Sequence, residues 1–374
     1  MLMPIKSLFA QAVNQDVLST LTDVQKYYRA IHVMAMLLLG FGFLMVFVRK
    51  YGRSALTATF LLVSVSIPAY IIFAGSGVFG DNNLSEIDTL ILSEFAAASL
   101  LITAGAVLGR LKMYQYLILG VLFIPVYMLN EDIMLNNGFG LIQSGSFIDV
   151  GGSIVIHMFG AIFGLGVAMT MTTKNEFKAD IDTDFTSDRF SLLGSMMLWV
   201  FWPSFCSALV LPEEVVHTAI NVIFALSGAT VITYMFTIWL RGKIDAADIA
   251  NASLAGGVAI GSVCSTATTT ESIIIGGAAG AISTIGFTII QARLQKGLKL
   301  IDTCGVSNLH GIPGLFGGLS ALLIIPNINV NAQLEGIGLT ILISIAGGLI
   351  TGKLISFTGR RKAPYIDSEE FILE

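Results

Sequence analysis

The chain has 374 residues, of which 55% are hydrophobic and only 12% charged, and a net charge of −5; its mean hydropathy is +0.82. A soluble domain carries about twice that share of charge, so the composition excludes a soluble globular protein and is that of an all-α polytopic membrane protein. The three Cys lie in or beside apolar segments and show neither metal-ligand spacing nor a paired framework, so no zinc site and no disulfide are expected.

Residues 1–28 are mixed and polar, with one short apolar patch at Leu8–Val13. The patch is too short for the core of a cleaved signal, and the segment reads as a non-spanning extracytoplasmic tail. From Ala30 onward, apolar runs of about spanning length recur between polar breaks. They predict eleven transmembrane helices near 30–49, 54–75, 88–109, 113–130, 150–173, 190–210, 215–240, 247–263, 271–293, 307–325 and 334–356. Abundant glycine in these runs lets helices approach closely in lipid.

The loops test that count. With alternate loops taken as cytoplasmic, every Lys and Arg after residue 30 falls on one side, from Arg49, Lys50 and Arg53 through Lys174, Lys178 and Arg189 to Arg360, Arg361 and Lys362. The opposite loops hold only acids, among them Asp81, Glu131, Asp132, Glu213 and Glu335. The positive-inside rule then places the N-terminus outside and the C-terminus in the cytoplasm. The organisation expected is a first five-helix repeat at 29–173, a cytoplasmic linker at 174–189 and a second repeat at 190–326. An eleventh helix at 334–356 and a cytoplasmic tail at 357–374 follow.

The repeat is carried by one pattern: Asp, two residues, Gly, four residues, His, five residues, Phe-Gly. It occurs at Asp149–Gly164, DVGGSIVIHMFGAIFG, and at Asp302–Gly317, DTCGVSNLHGIPGLFG. The first copy opens the fifth predicted helix from outside and the second opens the tenth from the cytoplasm, so the two halves run in opposite senses. An inverted repeat of this kind places a transport site at the repeat interface near the midplane. Each His lies about 12 Å along its helix from its own Asp. In a core roughly 30 Å thick the two would then end at depths differing by only about 6 Å.

A lone neutral His in a membrane helix most often just hydrogen-bonds a neighbour. Two at matched places in opposed repeats favour function, since intramembrane ionisable groups are costly. His157 and His310 are the candidate pair. Asp302, at a helix start, reads as an N-cap; for Asp149, capping and stabilising an incoming cation stand equal. His32 and His217 lie near helix ends and read as interface hydrogen-bonding groups, and Glu271 as an ordinary helix N-terminal carboxylate. No Gly-rich phosphate loop, nucleophile elbow or metal-ligand cluster is present, so no covalent enzyme chemistry is indicated.

At these residues the chain resembles the ammonium transporter/Rhesus (Rh) family, the Rh branch above all. The matching stretches are Gly40-Phe41-Gly42-Phe43 with Tyr51-Gly52, Gly105-Ala106-Val107-Leu108-Gly109, the Asp149–Gly160 segment, Trp202-Pro203-Ser204-Phe205, Asn251–Ala259 and Asp302–Gly314. The resemblance implies a homotrimer in the cell inner (plasma) membrane, one narrow pore per subunit, ammonia or ammonium as substrate, and no cofactor or metal. By the same resemblance His157 and His310 are the paired pore histidines, Phe95 and Phe205 the aromatics closing the outer mouth, and Asp149 the carboxylate below them. Alone, Phe95 reads only as a core or lipid-facing aromatic and Trp202-Pro203 only as a kinked helix. The chain departs from the family pattern at Ser307, where Rh proteins have His, at Glu94 beside Phe95, and at Cys206 after Phe205. No Trp precedes Asp149, so high-affinity ammonium capture is not expected.

An ion taken into a dry, low-dielectric path faces an idealised Born cost of about 20 kcal/mol, whereas neutral ammonia needs only hydrogen-bond partners. The expected path strips a proton from ammonium near Phe95 and Phe205, passes ammonia along His157 and His310, and returns a proton inside. Carbon dioxide is the rival cargo for such a pore. A bis-histidine membrane haem protein and an ammonium sensor are more distant alternatives. The tail Arg360–Glu374 could dock a cytoplasmic regulator, though a basic stop followed by a loose acidic end accounts for it equally.

Overall fold

The computed structural model describes residues 5–79, 84–175, 177 and 183–372; Asp81 and Lys178 fall outside them. Among the described residues the protein is all-helical, with eleven long helical segments. Nine are long and apolar enough to cross a membrane: α1 (Val17–Phe47), α2 (Gly52–Gly75), α3 (Glu86–Ala106), α4 (Met113–Leu135), α5 (Ser153–Met171), α7 (Pro212–Arg241), α8 (Ala246–Val263), α9 (Thr269–Leu298) and α11 (Val330–Ser356). The other two are α6 (Phe185–Cys206) and α10 (residues 307–324). These carry polar groups within their length, Asp188 and Arg189 in α6 and Asn308 and His310 in α10.

The largest departure from the sequence reading is at the start. Helix begins at Ile5 and continues through Ala35, so most of the stretch expected as a tail is helical. Apolar content marks the part of a helix that lipid must cover, not where its hydrogen-bond ladder begins. Lys26, on the polar part, is used: its Nζ lies 2.6 Å from Asp88 in the first turn of α3. The helix α4 likewise runs past its expected end, so Glu131, expected in a loop, is a buried helical residue whose carboxylate accepts from the Tyr70 hydroxyl. The short, Gly/Ala-rich α8 is broken into Ala246–Ala252, Ala255–Ile260 and a last turn Gly261–Val263.

Glycines set the helix spacing. A β-carbon on Gly276 of α9 would overlap the Ala225 carbonyl of α7, and one on Gly348 of α11 would overlap the Phe163 carbonyl of α5. Backbone meets backbone at both points, so neither helix can be moved aside by a rotamer change. Among the described residues three further stretches wind as π-helix besides the start of α5: Met36–Phe41 in α1, Gly286–Ile290 in α9 and Ser307–Gly311 in α10.

Residues 358–372 do not hang loose. The Gln115 side-chain amide donates to the Thr358 hydroxyl and the Gly359 carbonyl. The Tyr365 N–H donates to the Gly109 carbonyl at 2.8 Å. Asp367 accepts from the N–H groups of Arg53 and Ser54 at 2.9 and 3.0 Å, and so caps the start of α2. The segment is a strap over the ends of α2, α3 and α4, held closed by an Arg361–Glu369 ion pair at 2.7 Å.

Gly276→Ala should lower the thermal unfolding midpoint in detergent by several degrees, since overpacking costs about 1–3 kcal/mol and the obstacle is backbone. Gly338→Ala, where a β-carbon meets nothing within 4 Å, should leave the midpoint unchanged or raise it, because Ala is favoured over Gly in a helix by roughly 0.5–1 kcal/mol. Differential scanning fluorimetry of the two variants checks this.

Candidate functional site

Each copy of the repeated motif builds the same local structure, and the Asp, Gly and His shared by the two copies each have a physical task. Gly152 and Gly305 hold φ of 76° and 67°, a left-handed conformation that glycine adopts without a steric cost. The turn so made points the next N–H groups at the preceding Asp. Asp149 Oδ2 accepts from Ile154 and Val155 at 2.9 and 2.8 Å, and Asp302 accepts from Val306 and Ser307 at 2.9 Å each. A buried helix start has N–H groups that water cannot satisfy, and here a carboxylate satisfies them with charge-assisted bonds.

After the turn the chain winds as π-helix, Ser153–Met158 and Ser307–Gly311, and each segment carries its His near its end. A π turn winds less per residue than an α turn, so the rotation between Asp and His is not that of a regular α-helix. The two rings meet: His157 Nδ1 and His310 Nδ1 are 3.2 Å apart, with ring centroids 5.3 Å apart and planes within 13°. Both side chains are buried.

At 3.2 Å two unprotonated nitrogens would repel, so one hydrogen lies between them. That hydrogen fixes the far ends of the rings: the ring that donates through Nδ1 presents a bare Nε2, and the ring that accepts presents an Nε2–H. The neutral pair therefore offers one donor and one acceptor along its length. His157 Nε2 has no hydrogen-bond partner among the described residues.

The pair sits in a column of aromatic rings. On the His157 side, Phe205 lies 5.9 Å away, and Phe95 covers Phe205 at 4.6 Å with a 49° tilt; the two phenyls are tilted rather than stacked. Trp202 stacks on His157 at 5.5 Å, and its indole N–H also has no oxygen or nitrogen partner among the described residues. On the other side Phe41 faces His310 at 6.3 Å and 25°. Beyond it lies a narrow cavity walled by Leu44, Leu101, Ile102, Leu309 and Cys304, with Asn251 as a polar group.

His157, His310, Phe95 and Phe205 are thus brought together. Asp149 is near them in the fold but faces elsewhere: its Oδ2 holds the two N–H groups and its Oδ1 accepts from the Ser262 hydroxyl at 2.6 Å. Ser153, on α5, donates to the Val258 carbonyl at 2.7 Å and accepts from the Ser262 N–H at 2.8 Å, locking the start of α5 to α8. Ser307 spends its hydroxyl on Asp302 at 2.7 Å. Glu94 is buried beside Phe95 with Oε2 unpartnered among the described residues, and Cys206 packs against Gly151. His32 bonds to Ser204 at 2.8 Å and His217 to the Ala267 carbonyl at 3.0 Å. Glu271 completes a capping box with Thr268.

Two members of the column are not singled out by the sequence. Trp202 is three residues before Phe205 and so shares its helix face, a spacing that points both rings the same way. Phe41 gives no such signal, because only the π turn at Met36–Phe41 aims it at His310.

Residues 9–365 match the family model described as Ammonium Transporter Family. The chain is 35% identical over 357 residues to Ammonium transporter Rh type A of Bos taurus, covering 90% of this chain and 81% of that protein. It is 33% identical to Ammonium transporter Rh type C of the same organism, covering 93% and 82%. Among solved structures, Rh50 of Nitrosomonas europaea superposes with a TM-score of 0.92 at 50% identity, covering 95% of this chain and 93% of that one. Mep2 of Candida albicans shares the fold with a TM-score of 0.75 at 16% identity, covering 88% and 82%.

Asp149→Ala should lower the unfolding midpoint by several degrees, because it strands two buried N–H groups at about 1–3 kcal/mol each. Asp149→Asn should stay near wild type, since an amide oxygen still accepts from both and the NH2 can turn to Ser262. Melting curves of the two variants in one detergent decide it; equal losses would mean that charge, not acceptor geometry, holds the turn.

Proposed function

The chain belongs to the ammonium transporter family and groups with its Rh-type members, and from that we propose that it conducts ammonia, drawn from ammonium, through a narrow pore centred on His157 and His310. The observation that carries the reading is the buried 3.2 Å contact between the two rings, seated in an apolar column. Phe95 and Phe205 close the outer end and exclude water. An ammonium ion must give up its charge there, for an ion in so apolar a path meets a Born cost of about 20 kcal/mol. Ammonia accepts one hydrogen bond and donates others, which suits a pair presenting one donor and one acceptor. Beyond Phe41 and the inner cavity it meets water and regains a proton.

Asp149 acts in this scheme by position. Its carboxylate aims the turn that delivers His157, while the matching Asp302 does the same for His310. Two opposed five-helix units, with the N-terminus outside and the C-terminus in the cytoplasm, account for the matched motif copies and for the one-sided distribution of Lys and Arg. Trimeric assembly follows from the family resemblance, and a cytoplasmic regulator of residues 357–374 would meet a seated strap rather than a free tail. The bis-histidine haem alternative finds no support: the facing nitrogens are closer than the roughly 4 Å that two metal–nitrogen bonds span.

Replacing both His157 and His310 with Leu should abolish ammonia and methylammonium flux in proteoliposomes while the protein still purifies and melts normally; wild-type flux from that variant would end the proposal. The same vesicles on a supported membrane should report whether charge moves with the nitrogen, and stopped-flow pH traces with carbon dioxide in place of ammonia measure the rival cargo directly. Asp149→Asn should keep at least half of wild-type flux if that carboxylate only positions the turn.

A further inference from the structure

Two of the three cysteines stand at helix ends behind the outer pair of phenyl rings. Cys206 is the last residue of α6, and Cys264 follows the last turn of α8 as its C-cap. Both are thiols in the structure, and both are buried. Spacing along the chain does not pair them; the fold does. The last turn of α8, Gly261–Val263, is a 3-10 helix, in which residues three apart eclipse one another, so Cys264 lies over Gly261. Gly261 is where α8 meets the Asp149 turn, its carbonyl accepting from the Gly151 N–H at 2.8 Å. Cys206 reaches the same spot from α6, with Sγ 3.0 Å from the position that a β-carbon on Gly151 would take. There the two thiols hydrogen-bond to each other, and the Trp202 indole N–H donates to the Cys206 sulfur. Asn221 of α7 donates to the Cys264 carbonyl at 2.9 Å and fixes the backbone beside the pair. The third cysteine, Cys304, is elsewhere, in the wall of the inner cavity.

We propose that Cys206 and Cys264 form a disulfide that staples the end of α6 to the end of α8. The segments that follow them, 207–214 and 265–268, contain no Lys or Arg. The positive-inside rule places both outside the cytoplasm, the side on which disulfides form and persist. In a reducing compartment the two would serve as small buried apolar residues, but on the oxidising side two thiols in contact have the bond as their stable product. The inference rests on that orientation and not on what passes the pore.

The oxidant is a protein or small-molecule disulfide of the outer compartment, acting while the helices are still packing and the sulfurs are accessible. One cysteine thiolate attacks the carrier disulfide and releases one carrier sulfur as a thiol; the second cysteine then displaces the other. Two S–H bonds are lost and one S–S bond forms, and the two electrons and two protons leave with the carrier as thiols. The bond ties the segment that carries Trp202 and Phe205 to the one that carries Ser262, whose hydroxyl holds Asp149. It thereby sets the outer phenyl pair against the turn that delivers His157.

Peptide mapping of the full-length protein tests this, after purification without reductant from cells quenched with N-ethylmaleimide and unfolding in the same reagent. The expected result is a peptide pair joined through Cys206 and Cys264, separable with dithiothreitol, with Cys304 alkylated. In Cys206→Ala the thiol of Cys264 should become alkylated, and in Cys264→Ala that of Cys206. Dithiothreitol should lower the melting midpoint of the wild type by several degrees and leave that of Cys206→Ala/Cys264→Ala unmoved. Full alkylation of both cysteines in the wild type would overturn the proposal, as would a link to Cys304. Copper–phenanthroline then locates the fault: a bond that forms only with this reagent means that the sulfurs meet but face a reducing side, so the orientation fails, and no bond means that the contact itself fails. None of these readouts depends on ammonia flux, so failure of the pore reading cannot produce any of them.

Discussion

Where a helix begins inside the protein its first N–H groups have no water to turn to, and such a start is possible only where the protein supplies acceptors itself. Asp149 and Asp302 are those acceptors. Each lets a helix begin deep in the protein, after a left-handed glycine, with a π turn that brings a histidine to its end. Without the carboxylate the turn loses its partners, and without the turn the histidine changes face. The 3.2 Å meeting of His157 and His310 is the sum of two such starts.

Much of this is legible in the residues. Apolar runs and the separation of charge predict the helices that the structure contains, and the repeated Asp, Gly and His spacing picks out the residues on which the column is built. What the sequence hides is rotation. A regular α-helix would turn His about 80° away from the face of its Asp, and neither the π windings nor the resulting approach of Phe41 to His310 can be read from residue types. Trp202 is within reach of its three-residue spacing from Phe205. The early start of α1 is not, since a helix outside the apolar run is held by contacts such as Lys26 with Asp88, which join residues far apart in the chain.

Glycine does a second job in the same molecule. At Gly276 and Gly348 it is the absence of a side chain, not an unusual φ, that matters, for backbone of one helix lies against backbone of another. Helices that close leave little freedom to drift, so the column of rings keeps its separations. Lipid offers no hydrophobic force to bring helices together, and the dispersion attraction between closely packed backbones takes its place.

The strap of residues 358–372 has a consequence for how the chain is made. It lies downstream of every helix, yet it caps the start of α2 through Asp367 and grips Gly109 and Gln115. During synthesis α2, α3 and α4 enter the bilayer long before their clasp leaves the ribosome. The ends that the strap covers must wait, with the N–H groups of Arg53 and Ser54 bound to water, while the later helices are inserted. Final setting of the first half is thus one of the last events in the protein's assembly.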